Sequence, residues 1–127
     1  METLQTTLSH GLSLEQNNDL AGAEGIYRRA LLVNTDWAEG WYRLGVVCLK
    51  QKKPLDAISH FEHCRELNHR LADTWNFQGI ALEWLTRTDE AELAFRQAIA
   101  LAPQFAYAYL NLGIALQIGR ASCRERV

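Results

Sequence analysis

WYRLGVVCLKQKKPLDAISHFEHC, residues 41–64, reads as two helices joined by a polar turn. The first helix extends outward to AEGWYRLGVVCLKQ and the second to PLDAISHFEHCREL, with apolar residues at helical spacing in each. KKP interrupts them, and Pro54 suits the first position of the second helix, where its missing N–H leaves nothing unsatisfied. Gly45 stands in the middle of the first helix. A glycine there costs roughly 1 kcal/mol against alanine, an expense that local structure does not explain.

The same columns recur along the chain. Gly11, Gly45, Gly79 and Gly113 are each 34 residues apart. Ala23, Ala57 and Ala91 keep that step, each followed by an aromatic at Tyr27, Phe61 and Phe95 and then a small residue at Ala30, Cys64 and Ala98. Trp41, Trp75 and Tyr109 stand four residues before three of the glycines. Such a period marks stacked helical hairpins. Further turns are expected at NNDL and at TRTD, with Thr88 as an N-cap, and longer joints at NTD, NHR and APQ. The glycines suggest close helix contact: Ala57 or Ala91 is expected to face Gly45 or Gly79, with Trp41 or Phe61 filling the space beside it.

The pattern resembles the tetratricopeptide repeat. In the chain's second unit Trp41, Leu44 and Gly45 followed by Ala57 and Phe61 match the family pattern closely, and Pro103 closes the third unit. The likeness spans Leu4 to about Gln117, as units 4–37, 38–71 and 72–105 and a partial unit 106–117. Departures are Thr7 and His10 for Trp and Leu, Gln78 for Leu, and Thr35 and His69 for the closing proline. The implied fold is all-α, a right-handed superhelical solenoid of antiparallel helix pairs.

Composition bounds the function. The 127 residues are 48% hydrophobic and 22% charged, a globular balance. METLQTTLSHGL lacks the basic and apolar regions of a signal peptide, and no apolar run approaches the roughly 20 residues of a membrane span. Three cysteines without an export signal suit a reducing, cytoplasmic setting. A net charge of -2 argues against a nucleic-acid surface.

The last ten residues, IGRASCRERV, depart from the apolar pattern that holds to Gln117. One back-translation, ATCGGAAGAGCGTCGTGTAGGGAAAGAGTG, coincides with a common short-read sequencing adapter in one frame. Residues 118–127 are therefore read as a non-native, adapter-derived tail, and the natural protein is expected to be longer. Without them 10 basic residues face 14 acidic ones, a net charge of -4. Self-association of copies of the chain through the uncapped C-terminal helix is a further expectation.

Opposite the tryptophan and glycine, each first helix carries a second face, which in the resembled family lines a concave, peptide-binding groove. The candidate partner-binding residues are Tyr42, Arg43, Val46, Asn76, Phe77, Ile80, Glu83, Trp84, Asn111 and Ile114. Tyr42, Phe77 and Trp84 are read as exposed anchors, and Arg43, Asn76, Glu83 and Asn111 as a polar rim. The aliphatic column Leu12, Val46, Ile80 and Ile114 has two readings, packing between neighbouring first helices or a groove floor. Two groove chemistries of the family do not carry over. Its chaperone-gripping carboxylate clamp would need Lys, Asn and further basic residues where Leu8, Leu12, Asp73 and Phe77 stand. The asparagine ladder of the nucleocytoplasmic sugar-transferase superhelix finds Ser9, Arg43 and Phe77, and only Asn111 fits.

Catalytic, metal and cofactor sites are not expected. His60, His63 and Cys64 lie within one helical turn but lack a second ligand pair, and Cys64 and Cys48 fall in core columns. Asp89 to Glu92 sit at the start of a helix, where carboxylates favour the dipole. The recurrent glycines are too far apart to cradle phosphate. The reading is a non-catalytic protein- or peptide-binding module; the alternative is the amino-terminal recruiting arm of a larger enzyme such as a glycosyltransferase or sulfotransferase. Sequencing the coding DNA tests the tail: the adapter codons are expected at positions 118–127, and unrelated codons would restore these residues to the protein.

Overall fold

A computed structural model of the chain describes residues 3–125, with side chains over 3–117. All regular structure among the described residues is helical: α1 (Leu4–Gln16), α2 (Leu20–Val33), α3 (Ala38–Lys50), α4 (Pro54–Glu66), α5 (Leu71–Trp84), α6 (Thr88–Leu101) and α7 (Ala106–Glu125). Two compact units divide them, Met1–His69 and Arg70–Val127. The first holds the pairs α1–α2 and α3–α4, and α2 also packs on α3. The second holds α5–α6, with α7 against both α6 and α5.

Each hairpin reverses through the same turn. Asn18, Lys52 and Thr86 hold φ of 60°, 64° and 57°. Around Asn18, its own N–H bonds Glu15 O at 3.0 Å and the Asp19 N–H reaches back to Leu14 O at 2.8 Å. Lys52 and Lys53 repeat this on Leu49 and Cys48, and Thr86 and Arg87 on Glu83 and Leu82. These paired bonds satisfy the last carbonyls of one helix in a Schellman closure. The following residue is already the N-cap of the next helix: Asp19, Lys53 and Arg87. Asp19 alone of the three adds a side-chain cap, Oδ1 accepting the Gly22 N–H at 3.0 Å. Pro54 takes the first helical position. Thr88 is not the N-cap expected from its residue type, because the closure ends on Arg87 and makes Thr88 the first helical residue. A fourth closure, Asn68 to Arg65 O at 2.8 Å and His69 to Cys64 O at 3.3 Å, ends α4.

The recurrent glycines meet the aromatic column. A Cβ at Gly11 would overlap the Tyr27 ring, one at Gly45 the Phe61 ring, and one at Gly79 the Phe95 ring. All three rings are essentially inaccessible to solvent. The aromatic side chain of the second helix thus lies across the backbone of the first, where any side chain would block it. Phe61 is thus one of the two occupants expected beside Gly45, and the other expected partners are corrected. Ala57 and Ala91 are buried but do not fill the vacancy, and Trp41 lies half-buried against α4. Its ring stacks on His63 and His60, with centroids 4.4 and 5.7 Å away, and its indole N–H donates to Thr35 O at 2.9 Å. Gly113 differs again: it is exposed, and nothing described lies within 4 Å of the Cβ it lacks.

Hydrogen bonds join the two pairs of the first unit. Glu24 on α2 accepts from Gln51 at 2.8 Å, Lys53 at 3.4 Å and Arg28 at 3.2 Å. Burial pushes its pKa up, but the hydrogen bonds from Arg28 and Gln51 and the charges of Arg28 and Lys53 outweigh burial and hold the carboxyl below its ordinary value. The Tyr27 hydroxyl donates to Glu15 at 2.7 Å, and Lys50 reaches the other oxygen of Glu15 at 3.3 Å.

Helix α7 continues to Glu125, past the end of the apolar pattern at Gln117. Its last turns contain Ala, Arg and Glu, which propagate a helix without needing an apolar face. Residues 126–127 of the expected tail lie outside those described.

The glycine notch makes a paired prediction. Gly45→Ala is expected to destabilise the chain by about 1–3 kcal/mol, through overlap with Phe61. Gly113→Ala is expected to be neutral or to stabilise by up to about 1 kcal/mol, through helix propensity alone. Thermal melts followed by circular dichroism distinguish these outcomes; equal melting points would remove the packing role of the notch.

Candidate functional site

The candidate face is carried by α3 in the first unit and by α5 and α7 in the second. On α3 the structure encloses it. Tyr42 is only 7% exposed, tilted on Phe61 with ring centroids 6.4 Å apart, and the Arg43 guanidinium lies 5.2 Å from its ring centre. Arg43 also pairs with Glu39 at 3.3 Å, and Glu39 accepts from His69 at 2.8 Å. Val46 and Leu49 are buried. The expectation of an exposed Tyr42 anchor is therefore corrected: with Phe61 seated over Gly45, the neighbouring Tyr42 ring joins the packed layer.

On α5, Asn76, Ile80 and Glu83 lie at i, i+4 and i+7, one stripe of the helix. Asn76 is 4% exposed, and its Oδ1 accepts a hydrogen bond of 2.9 Å from Asn111 Nδ2 on α7. This bond brings the two expected rim residues together and ties the first helices of successive repeats. Searching for asparagine at a single repeat position missed it, because Asn76 and Asn111 are 35 residues apart, one more than the period. Phe77, Ile80 and Glu83 are half-buried, while Trp84 and Ile114 are 44% and 46% exposed. The aliphatic column thus divides between its two readings, Val46 buried and Ile114 open. Tyr107 and Leu110 add exposed apolar surface to α7.

Glu83 is the electrostatic exception on this stripe. Its Oε1 is shielded from solvent with no hydrogen-bond partner, and burial raises its pKa. An unpaired carboxylate oxygen held away from water is costly in the free protein.

The residues considered for metal or nucleophilic chemistry do not converge. Cys64 is buried, with its thiol donating to His69 O at 3.3 Å, whereas His63 is exposed, with Nδ1 2.9 Å from Ser59 O. His60 lies half-buried, both ring nitrogens shielded and without hydrogen-bond partners. Burial, reinforced by the Arg28 charge, lowers its pKa to about 4. Cys48 is fully buried, and burial followed by the charge of Glu24 pushes its thiol up to about 11, too high for an activated nucleophile at neutral pH. Elsewhere, α1 and α2 border a cleft of about 500 Å³ lined in part by Leu4, His10, Ile26 and Val33, which the repeat pattern did not single out.

The tetratricopeptide repeat family model matches residues 8–63 and 78–121. The chain belongs to the tetratricopeptide repeat family. Among curated relatives, human protein O-mannosyl-transferase TMTC3 is 28% identical over 99 residues, covering 77% of this chain but 11% of the relative. This tetratricopeptide repeat chain thus spans about a tenth of that relative's length. Among solved structures, MamA is similar at a TM-score of 0.78 and 26% identity, over 84% of this chain and 63% of MamA. The first TPR of Spaghetti (RPAP3), bound to the HSP90 peptide SRMEEVD, is similar at a TM-score of 0.83 and 18% identity, over 90% of this chain and 93% of that one. The second likeness is one of fold alone. Among the described residues no helix is long and apolar enough to cross a membrane.

His60 predicts an acid-sensitive first unit. Its folded pKa of about 4 lies below the ordinary 6.5, so folding favours the neutral ring: this contribution is complete above pH 6.5 and is lost as the pH falls toward 4. Arg28 and His63 oppose the protonated ring, whereas Asp56 and Glu24 favour it. Glu24, with its lowered pKa, contributes to the loss only below about pH 4.5. His60→Phe is therefore expected to flatten the fall in melting temperature between pH 6.5 and 4.5. Parallel pH profiles for the two proteins would exclude His60 as the source.

Proposed function

We propose that this chain is a non-catalytic protein-interaction module which receives a peptide or protein segment on the first-helix faces of its repeats. The observation that carries this reading is in the second unit: the Asn76–Asn111 bond ties α5 to α7, while Trp84 and Ile114 stay open to solvent. Exposed aromatic and aliphatic surface beside buried polar groups suits a partner that brings its own apolar side chains. The related fold of RPAP3 with a bound peptide supports the class of ligand. It does not extend to that ligand's acidic character, because Leu8, Leu12, Asp73 and Phe77 occupy the positions that would supply the carboxylate clamp. The site comprises Asn76, Phe77, Ile80, Glu83, Trp84, Asn111 and Ile114, with Tyr42, Arg43 and Val46 as the corresponding packed face on α3. Buried Cys48 and Cys64 suit a reducing, cytoplasmic setting.

A second reading makes the chain the recruiting arm of a larger enzyme. The similarity to TMTC3, itself a transferase by name, favours it. The full reading frame separates the two: a downstream catalytic domain supports the arm, and further repeats with a polar cap support the stand-alone module.

Selection of displayed peptides against the chain tests the shared element of both readings. Peptides so obtained are expected to lose at least ten-fold in affinity for Trp84→Ala, with helicity unchanged. Unaltered affinity would place their site elsewhere. Sedimentation of the free chain shows whether self-association, through the open surface of Leu110, Gly113 and Ile114, competes for this face.

A further inference from the structure

We propose that the cleft between α1 and α2 takes a tryptophan side chain from a partner segment, in the space that the chain's own Trp41 fills one repeat later. The inference concerns the tryptophan column of the first helices and is independent of the face proposed above for peptide binding.

The repeat itself supplies the template. Both hairpins of the first unit close on the same notch, Tyr27 over Gly11 and Phe61 over Gly45. In the second hairpin Trp41 of α3 stacks on His63 and His60 of α4, with centroids 4.4 and 5.7 Å away and the His63 ring 16° from parallel. One 34-residue step earlier the same three columns hold Thr7, Arg29 and Ile26. All three line the cleft of about 500 Å³. Thr7 replaces a large ring by a hydroxyl and a methyl, and among the described residues the space of that ring is left open. Ala30, another lining residue, shows the consequence: it is partly exposed, whereas Cys64 and Ala98 in its column are fully buried.

The cleft is accessible from solvent, and its walls suit an indole. Of the lining residues Thr7 alone is buried; Val33 is 84% exposed, Arg29 is exposed, and Leu4 and Ile26 are partly so. Leu4, Ile26 and Val33 offer apolar surface to a large ring. Arg29 stands where His63 meets Trp41, and a guanidinium can lie flat on an indole as an imidazole does, with its charge attracted to the ring face. Its Nε donates to Gly25 O at 3.3 Å, a bond in the guanidinium plane that is compatible with stacking on the guanidinium face. An aliphatic side chain would meet the same apolar wall but gain nothing from Arg29, so the cleft favours an aromatic. Its volume exceeds what one indole requires, which leaves room for flanking peptide backbone and favours a protein segment over free indole.

The test titrates the full chain with acetylated, amidated tripeptides, Gly-Trp-Gly or Gly-Leu-Gly, and with free indole, followed by nuclear magnetic resonance. The tryptophan peptide is expected to bind at least about five-fold more tightly than the leucine peptide and more tightly than indole, shifting the methyl signals of Leu4, Ile26, Ala30 and Val33. Thr7→Trp supplies the ring from within, as Trp41 does in the next repeat. It is expected to abolish binding of the tryptophan peptide and to raise the melting temperature. Arg29→Ala, at an exposed position, is expected to lower affinity for the tryptophan peptide at least about three-fold and to leave the leucine peptide unchanged. Equal binding of the two peptides, shifts confined to α5 and α7, or binding that persists in folded Thr7→Trp would overturn the proposal. So would a melting temperature lowered by Thr7→Trp, since the cleft would then not fit an indole, or an unchanged preference for tryptophan in Arg29→Ala. Free indole binding as tightly as the tryptophan peptide would overturn a protein segment as the occupant.

Discussion

A ring laid across a bare stretch of backbone organises this protein. At Gly11, Gly45 and Gly79 the missing side chain admits Tyr27, Phe61 and Phe95 from the following helix, and each aromatic is thereby removed from water. Burying one such ring contributes a few kcal/mol at about 25 cal/mol per Å² of apolar surface. That exceeds the roughly 1 kcal/mol a mid-helix glycine costs, so the exchange favours the hairpin. The small residues Ala23, Ala57 and Ala91 sit one turn earlier on the second helices, fully buried, where a larger side chain would hold the helices apart.

The turns allow this contact to be made three times. Asn18, Lys52 and Thr86 adopt the left-handed conformation without glycine, and the paired backbone bonds around them hold it. Thr86 carries the greatest burden, since a β-branched residue is least suited to positive φ. Because the residue after each turn starts the next helix, the hairpin has no slack, and the glycine and the aromatic meet in register. Glu24, bonded to Arg28, Gln51 and Lys53, then links one hairpin to the next within the first unit.

The two units present the candidate face in different states. On α3 the ring of Tyr42 is packed on Phe61 and covered by Arg43, so the residue contributes to the core. On α5 and α7 the polar residues pair at Asn76 and Asn111, and the apolar ones remain open. Glu83 stands between these conditions, half-buried, with one carboxylate oxygen shielded and without a hydrogen bond.

Columns at a step of 34 residues were enough to reveal the family, the helix pairs and the vacancy inside each first helix, because burial repeats wherever the backbone geometry repeats. The occupant of the vacancy at Gly45 was legible only as a choice between Trp41 and Phe61. Phe61 rather than Trp41 fills the notch at Gly45, a matter of how two helices cross, while Trp41 turns to the imidazoles of His60 and His63. The turn residues gave no signal either, since Lys52 and Thr86 are unusual at positive φ and only the closing backbone bonds place them there. The face could be read from helical phase, but exposure could not: Tyr42 and Trp84 looked alike as aromatics, and packing buried the one and left the other in solvent. Local periodicity specifies which residues share a side of a helix; what meets that side is decided only when distant segments come together.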